Sequence, residues 1–370
     1  MWKKVIAKTD KRVQDWCQIH AGMFFSILAH NHHIVPVCTY IAQLVPPDES
    51  ITKHLDKIVS RMFPGPGNWA TLRMMRSLKH YGFPCQLIDL RLVSTAAMQR
   101  YYHKSVLDIR GMATELYLHS NAYKNSCQTF PELTTWHDGA FATNILHSID
   151  SCADLGVHQD FIRSSLSNGK ADGKSPSIQK IITAGLHKQL YGKAAADNAI
   201  RKRLMRWELE LNPRISLELA LYNLQVIAKT CRAAVQAAYF RTLLNGWVTA
   251  RRMRSLKGCS SGYGQCVFGC GHGTDCIEHY AHCRITVAFF RRAGLPYLRP
   301  STAAFLSINR RASREQVRIH VSCLYALYLT HCILRHSSQV AVTEERVARL
   351  LRASFARSGT RLNRSRRVQF

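Results

Sequence analysis

Apolar residues recur at intervals of three and four along most of the chain, the spacing of one buried helical face rather than of a strand. Trp16, Ile19, Met23, Ile27 and Leu28 follow this spacing, and Ile34 to Leu44 forms a second apolar block that Pro46-Pro47 stops. Glu49 to Met62 resumes the pattern with Ile51, Leu55, Ile58, Val59 and Met62. Pro64-Gly65-Pro66-Gly67-Asn68 then forces a break, because neither Pro nor Gly sustains a helix. A helix is predicted from Trp69 towards Leu78, and others after Pro84. Residues 201–257 read as helical, with Arg and Lys interleaved among Leu, Trp, Ala and Tyr. After Pro300, Ser313-Arg-Glu-Gln316 fits a capping box, in which Ser accepts from the third helical amide and Gln reaches back. Val317, Val321, Leu324 and Tyr328 mark an apolar face beyond it. A last helix is predicted from about Thr343, since Glu344 and Glu345 suit the positive end of a helix dipole. The expected class is mainly α, with little or no β-sheet.

These elements divide the chain into a helical region at 1–121 and a spacer at 122–200 with a polar linker near 164–177. A basic helical region at 201–257, a Cys/His segment at 258–285 and C-terminal helices at 286–356 follow. The Arg-rich tail at 357–370 is expected to be disordered without a partner. No internal repeat is visible.

Composition changes this picture in two ways. At 370 residues and 46% hydrophobic, the chain can bury a sizeable core. Its 51 Lys plus Arg against 23 Asp plus Glu leave a formal charge of +28. Such an excess concerns partners more than fold: RNA or DNA would release counterions on binding this surface. The N-terminus lacks the apolar run of a signal peptide, and apolar stretches such as Cys323 to Leu329 are too short to span a bilayer. No membrane partner is therefore expected, and the location read from the sequence is nuclear or cytoplasmic. In that reducing setting, clustered cysteines read as metal ligands. The scattered ones (Cys17, Cys38, Cys85, Cys127, Cys152, Cys231, Cys323 and Cys332) read as small core residues.

The clustered ones lie in CVFGCGHGTDCIEHYAHC, residues 266–283. Cys266 and Cys270 supply two thiolates from one turn, with Gly269 and Gly271 relieving the backbone. His279 and Cys283 follow, four residues apart, and on a helix that offset puts both on one face. Three thiolates and an imidazole in a closed tetrahedron suit structural zinc, whose binding would supply much of the local folding energy. His272, Cys276 and His282 compete within the segment. Cys276 is the serious rival, because Cys266, Cys270, Cys276 and His279 would also close a site. The helical offset favours Cys283.

Two basic clusters flank informative positions. Arg201, Lys202, Arg203 and Arg206 precede Trp207, and Arg251, Arg252, Arg254 and Lys257 precede the Cys/His segment. A run of cations is usually a solvated helix face. Next to a zinc site, and near Tyr239, Phe240 and Trp247, phosphate contact is the better reading. Phe268 and Tyr280 would either stack on an unpaired base or cover the metal. Two other motifs carry little. Gly258-Cys-Ser-Ser-Gly262 matches a nucleophile elbow but lacks the strand before it and the helix after it. The 169–175 stretch resembles a phosphate loop but is a residue short and has no flanking apolar strand.

Residues 266–283, preceded by NGWVTARRM at 245–253, resemble the region downstream of the polymerase in reverse transcriptases of non-LTR retrotransposons. There a Cys-Cys-His-Cys knuckle of similar spacing follows an Arg-rich helix. The wording of this segment is similar to copies in dinoflagellate and related protist genomes. VPVCTYIAQLVPP at 35–47 and MFPGPGNW at 62–69 resemble the helical thumb of the same elements and stand in the same order. The resemblance covers residues 15–100 and 230–290. It implies that 1–121 is thumb-like, that RNA and/or DNA is the partner, and that the polymerase portion of the element is a further one. The departures bear on chemistry. A polymerase needs paired carboxylates for two metal ions, and this chain has no Asp-Asp pair. Beyond Cys283 its acidic residues are Glu315, Glu344 and Glu345 alone, too few for the nuclease some relatives carry. The expectation is a nucleic-acid-binding, non-catalytic portion. The alternative is a non-functional or repurposed remnant, acting only as a helical zinc protein.

Overall fold

The computed structural model describes residues 2–66, 69–104, 177–207, 211–253, 264–297, 299–336 and 342–360, with short pieces between 144 and 165. Among the described residues there is no strand, and the β-like pairing is an isolated antiparallel bridge between Gln265 and Thr274. The fold is mainly α.

The chain falls into two compact units that cut across the sequence divisions. The first holds Met1–Ala21, Phe25–Met62 and Leu87–Lys193, and the second holds Gly22–Phe24, Phe63–Gln86 and Ala194–Phe370. The second thumb-like block therefore divides after Met62, its remaining residues joining the second unit.

The first unit begins with α1 (Trp2–Gln18). The period through Trp16 to Leu28 predicts one helix, but the chain turns between Gln18 and Met23. His20 takes φ 49° and Gly22 φ 82°, left-handed values that end a helix. Next come α2 (Met23–Ala29), a single π-helical turn at His30–Ile34 and α3 (Val35–Ala42), whose second residue is Pro36. Proline is tolerated there because a first-turn amide has no partner inside the helix. Helix α4 (Glu49–Ser60) follows Asp48, whose carboxylate caps it by accepting from Ile51 N at 2.7 Å. Trp2, Cys38, Ala42 and Leu55 make one buried cluster here. A second joins α6 (Leu90–Lys104) to α7 (Ile178–Tyr191) through Leu92, Ala96, Ile182, Leu186 and Tyr191, with Cys152, Val157 and Ile162. The helix expected from Trp69 belongs to the second unit, where α5 spans Leu72–Arg76 and a 3-10 turn follows at Leu78–Tyr81.

The rest of the second unit comprises α8 (Lys193–Leu204), a 3-10 turn at Met205–Trp207, α9 (Pro213–Thr230), α10 (Ala233–Leu243) and α11 (Ala250–Met253). Then come α12 (Ile277–His282), α13 (Arg284–Arg292), α14 (Thr302–Phe305), α15 (Arg314–His336) and α16 (Glu344–Arg357). Helices α9, α10, α13 and α16 all pack on α15. The single apolar face expected of α15 is exceeded. Ile319, His320, Ser322, Cys323 and Ala326 are buried along with Val317, Val321 and Leu324. The expected capping box is formed, with Gln316 N donating to Ser313 Oγ at 3.2 Å and Ser313 N to Gln316 Oε1 at 3.1 Å. The last helix starts after Thr343, whose side chain accepts from Arg346 N.

The apolar part of α15 is longer than its Cys323–Leu329 stretch. Its 23 residues make it the one described helix long and apolar enough to cross a bilayer. Most of that apolar surface is already covered by protein, the usual cause of such a composition in a core helix. The linker near 164–177, the tail beyond Thr360, Cys127 and both rejected motifs lie wholly or largely outside the described residues.

Candidate metal centre and basic surface

The metal segment is a turn followed by two short helices. Gly269 N donates to Cys266 O at 3.0 Å and closes the turn that presents Cys266 and Cys270. Gly269, Gly271 and Gly273 take φ 72°, 75° and 78°, where a side chain is strained. Gly273 is the most constrained of these. A Cβ there would lie 2.2 Å from Nδ1 of His279, so only glycine leaves room for the imidazole. The ring's other nitrogen, Nε2, faces Cys270 Sγ at 3.3 Å, and Cys266 Sγ and Cys283 Sγ are 3.9 Å apart. The four ligand atoms all lie within 4.8 Å of one another. Metal–sulfur and metal–nitrogen bonds of zinc length, set at a tetrahedral angle, would separate sulfurs by about 3.8 Å and sulfur from nitrogen by about 3.6 Å. The group formed by Cys266, Cys270, His279 and Cys283 therefore has the size and chemistry to hold a metal ion. Among the described residues no other such cluster of His, Cys or carboxylates occurs.

The expected set of four comes together, but not by the expected route. Helix α12 ends at His282, and Cys283 is an extended residue with φ −61° and ψ 127° between α12 and α13. It reaches the site from the N-terminus of α13 rather than from one helical turn beyond His279. That position matters electrostatically. The hydrogen bond from Cys266, and then the amides of Thr286 and Ile285, pull the Cys283 thiol below the ordinary thiol range against the cost of burial. Its neighbour Cys266 is pushed up by the same hydrogen bond and by burial. A cation between the two sulfurs would displace the thiol proton that now lies between them. The rival Cys276 is used elsewhere: its sulfur accepts from His279 N at 3.4 Å and caps α12.

The aromatic residues are core. Phe268 and Tyr280 are fully buried, with ring centroids 4.9 Å apart, so they cover the ligands and offer no face to a base. Trp247, Tyr239 and Phe240 are also fully buried. Proximity along the chain suggests that they help the arginines contact nucleic acid; burial assigns them to packing instead. Trp247 lies against Tyr280, Tyr328 and His331.

The tertiary structure merges the two basic clusters. Burial lowers the pKa of Arg203, and so do the positive charges of Arg206 and Arg252. Arg252 is lowered by burial and by Arg206. Residues some fifty positions apart in sequence thus feel each other's charge. Arg201, Lys202, Arg206 and Arg251 are exposed around them. The carbonyls of the Pro/Gly break anchor this surface: Arg252 donates to Pro66 O and Arg241 to Pro64 O, both at 3.0 Å. Arg241 also lies over the Trp69 ring, 4.5 Å from its centroid. Arg254 and Lys257, predicted with this cluster, lie outside the described residues.

One residue that the motif reading overlooked ties the two sites together. Asp275, between the glycine turn and α12, is fully buried. Its carboxylate accepts from Ala250 N at 2.7 Å, from Tyr280 and from Arg335, and lies 3.5 Å from His331 Nε2. Burial alone would raise its pKa, but the neighbouring His331 ring and hydrogen bonds from Tyr280 and the Ala250 amide hold it below the ordinary carboxylate range. No local motif marks it: it is one of two acids, with Glu278, in the Cys/His segment.

No protein-family model matches the chain, and no curated protein is significantly similar to it.

Proposed function

We propose that this chain is a nucleic-acid-binding C-terminal portion of a non-LTR retrotransposon reverse transcriptase, with a zinc knuckle that stiffens an arginine-rich surface. The observation that carries this reading is the joining of the arginine helix to the Cys/His segment: Arg251 pairs with Glu278 at 3.2 Å, and its neighbour Arg252 lies close enough to Arg203 and Arg206 to feel their charge. Like charges held together oppose folding, and a polyanion relieves that cost. The resemblance at 35–47, 62–69 and 245–283 supports the family. The charge of +28 supports RNA or DNA as partner. Zinc fits the ligand set better than harder ions, since three of the four ligands are sulfur. Its part is structural. Four protein ligands leave no open position for substrate at the metal, and the chain has no Asp-Asp pair to hold catalytic ions, so the proposed role is binding without polymerisation or cleavage.

Fluorescence anisotropy of the purified chain with labelled single-stranded RNA, and with DNA, over a salt series tests the reading. A linear fall of log affinity with log salt is expected, the slope reporting the phosphates neutralised. No binding at low salt would sink the proposal. Nucleotide incorporation on a primed template would overturn its non-catalytic part.

A further inference from the structure

The knuckle and the arginine helix share a backbone joint. Ala250, the first residue of α11, donates its amide to the Asp275 carboxylate at 2.7 Å, and Arg251 N donates to Asp275 O at 3.2 Å. Glu278, next to the ligand His279, pairs with the Arg251 guanidinium at 3.2 Å. The strand-like side of the joint is held by Asp275 N donating to Gly264 O at 3.0 Å and by the Gln265–Thr274 bridge. Cys266 follows that bridge on one side, and Cys276 caps α12 on the other. Every residue from 264 to 279 that touches α11 thus lies within a few positions of a ligand.

The described part of α11 is a helix start, whose first amides have no acceptor within the helix. They need outside acceptors, and Asp275 supplies two of them. On the far side Asp275 is anchored to α15 by Arg335. We infer that Asp275 is a positioning residue through which closure of the Cys266, Cys270, His279 and Cys283 site orders α11 and sets Arg251 and Arg252 on the nucleic-acid surface. Metal loading then regulates nucleic-acid binding without the metal touching the ligand. The output of this coupling rests on the proposed binding function; the coupling itself does not.

Amide hydrogen exchange on the full chain, zinc-loaded and after chelation, tests the coupling without any nucleic acid. Chelation should speed exchange at Ala250 and Arg251 by about tenfold or more, together with the knuckle amides, while Val321–Leu327 in α15 keep their protection. Unchanged protection at Ala250 and Arg251 overturns the inference. In Asp275→Asn, cobalt substituted for zinc should give an unaltered tetrahedral thiolate spectrum while the same two amides open. Its affinity for single-stranded RNA should fall about tenfold. That loss should be non-additive with Arg251→Ala/Arg252→Ala, because Asp275 acts through those arginines. An additive loss would mean a general structural role and overturn the inference. If the variant does not fold, exchange on the chelated wild type still decides. Coupled exchange without RNA binding by any form would leave the joint intact and remove the proposed function instead.

Discussion

At the level of single residues, the metal group depends on soft side chains held within reach of one another and on glycines that leave space. Cys270→Ser should remove one equivalent of metal from the protein, because oxygen is a poor replacement for a thiolate in a soft site; an unchanged metal content by elemental analysis would refute the group. Gly273→Ala should weaken metal retention at least tenfold in chelator competition, given the clash with His279 Nδ1 and a φ of 78° that costs about 1–3 kcal/mol for a non-glycine residue. Cys276→Ser should retain the metal, since Cys276 caps α12 and serine caps as well. His320 carries a different signature. It is buried in α15, stacks on Phe290 and bonds Phe305 O through Nε2 at 2.9 Å. Burial lowers its pKa to about 4, from an ordinary 6.5. The folded state therefore keeps it neutral while the unfolded chain protonates it. That stability is fully present above about pH 6.5 and falls as pH approaches 4, by on the order of 3 kcal/mol. Denaturant titrations across that range should lose this slope in His320→Gln; an equal slope would contradict the assignment.

Among elements, the caps were the most legible features, because their rules are local. The Ser313/Gln316 box and the Thr343 cap are both formed where short motifs predict them. Ser313→Ala should destabilise the second unit by about 1 kcal/mol, read as a shift in the urea midpoint with an unchanged slope. Helix breaks were less legible. The period from Trp16 to Leu28 runs straight through a turn, since periodicity records which residues face the core and not whether the backbone stays helical between them. The same limit applies to Cys283. The right ligand was chosen from an i, i+4 spacing, yet the residue sits in an extended junction after α12. Sulfur reach, not helical phase, brings it to the site.

Over the whole second unit, charge is distributed in a way that no linear reading shows. Arg203 and Arg206 meet Arg252 because the chain after α8 returns through α9 and α10 to α11. Arg206→Gln should raise the urea midpoint at low salt by relieving this repulsion, and should lower RNA affinity and the salt slope together. A variant that binds RNA with an unchanged slope would remove Arg206 from the surface. Adding salt should stabilise the wild type more than the variant, since screening does the same work as the substitution.

The amino-acid sequence by itself determined the helical class, the capped starts of α15 and α16, a Cys/His group able to hold a metal, with Cys276 as rival to Cys283, and the excess of positive charge. Each follows from spacing or composition within a few residues, where backbone geometry leaves little choice. Only the tertiary structure decided that the middle of α15, Ile319–Leu327, is buried on all sides, that Phe268, Tyr280 and Trp247 are packing residues, and that arginines of two distant clusters lie near one another. The same holds for Asp275. A carboxylate beside a glycine turn has no local motif, and its meaning lies in the amides and the cation that folding brings around it from α11 and α15. Burial and long-range electrostatics are properties of the assembled core, and no window of sequence contains them.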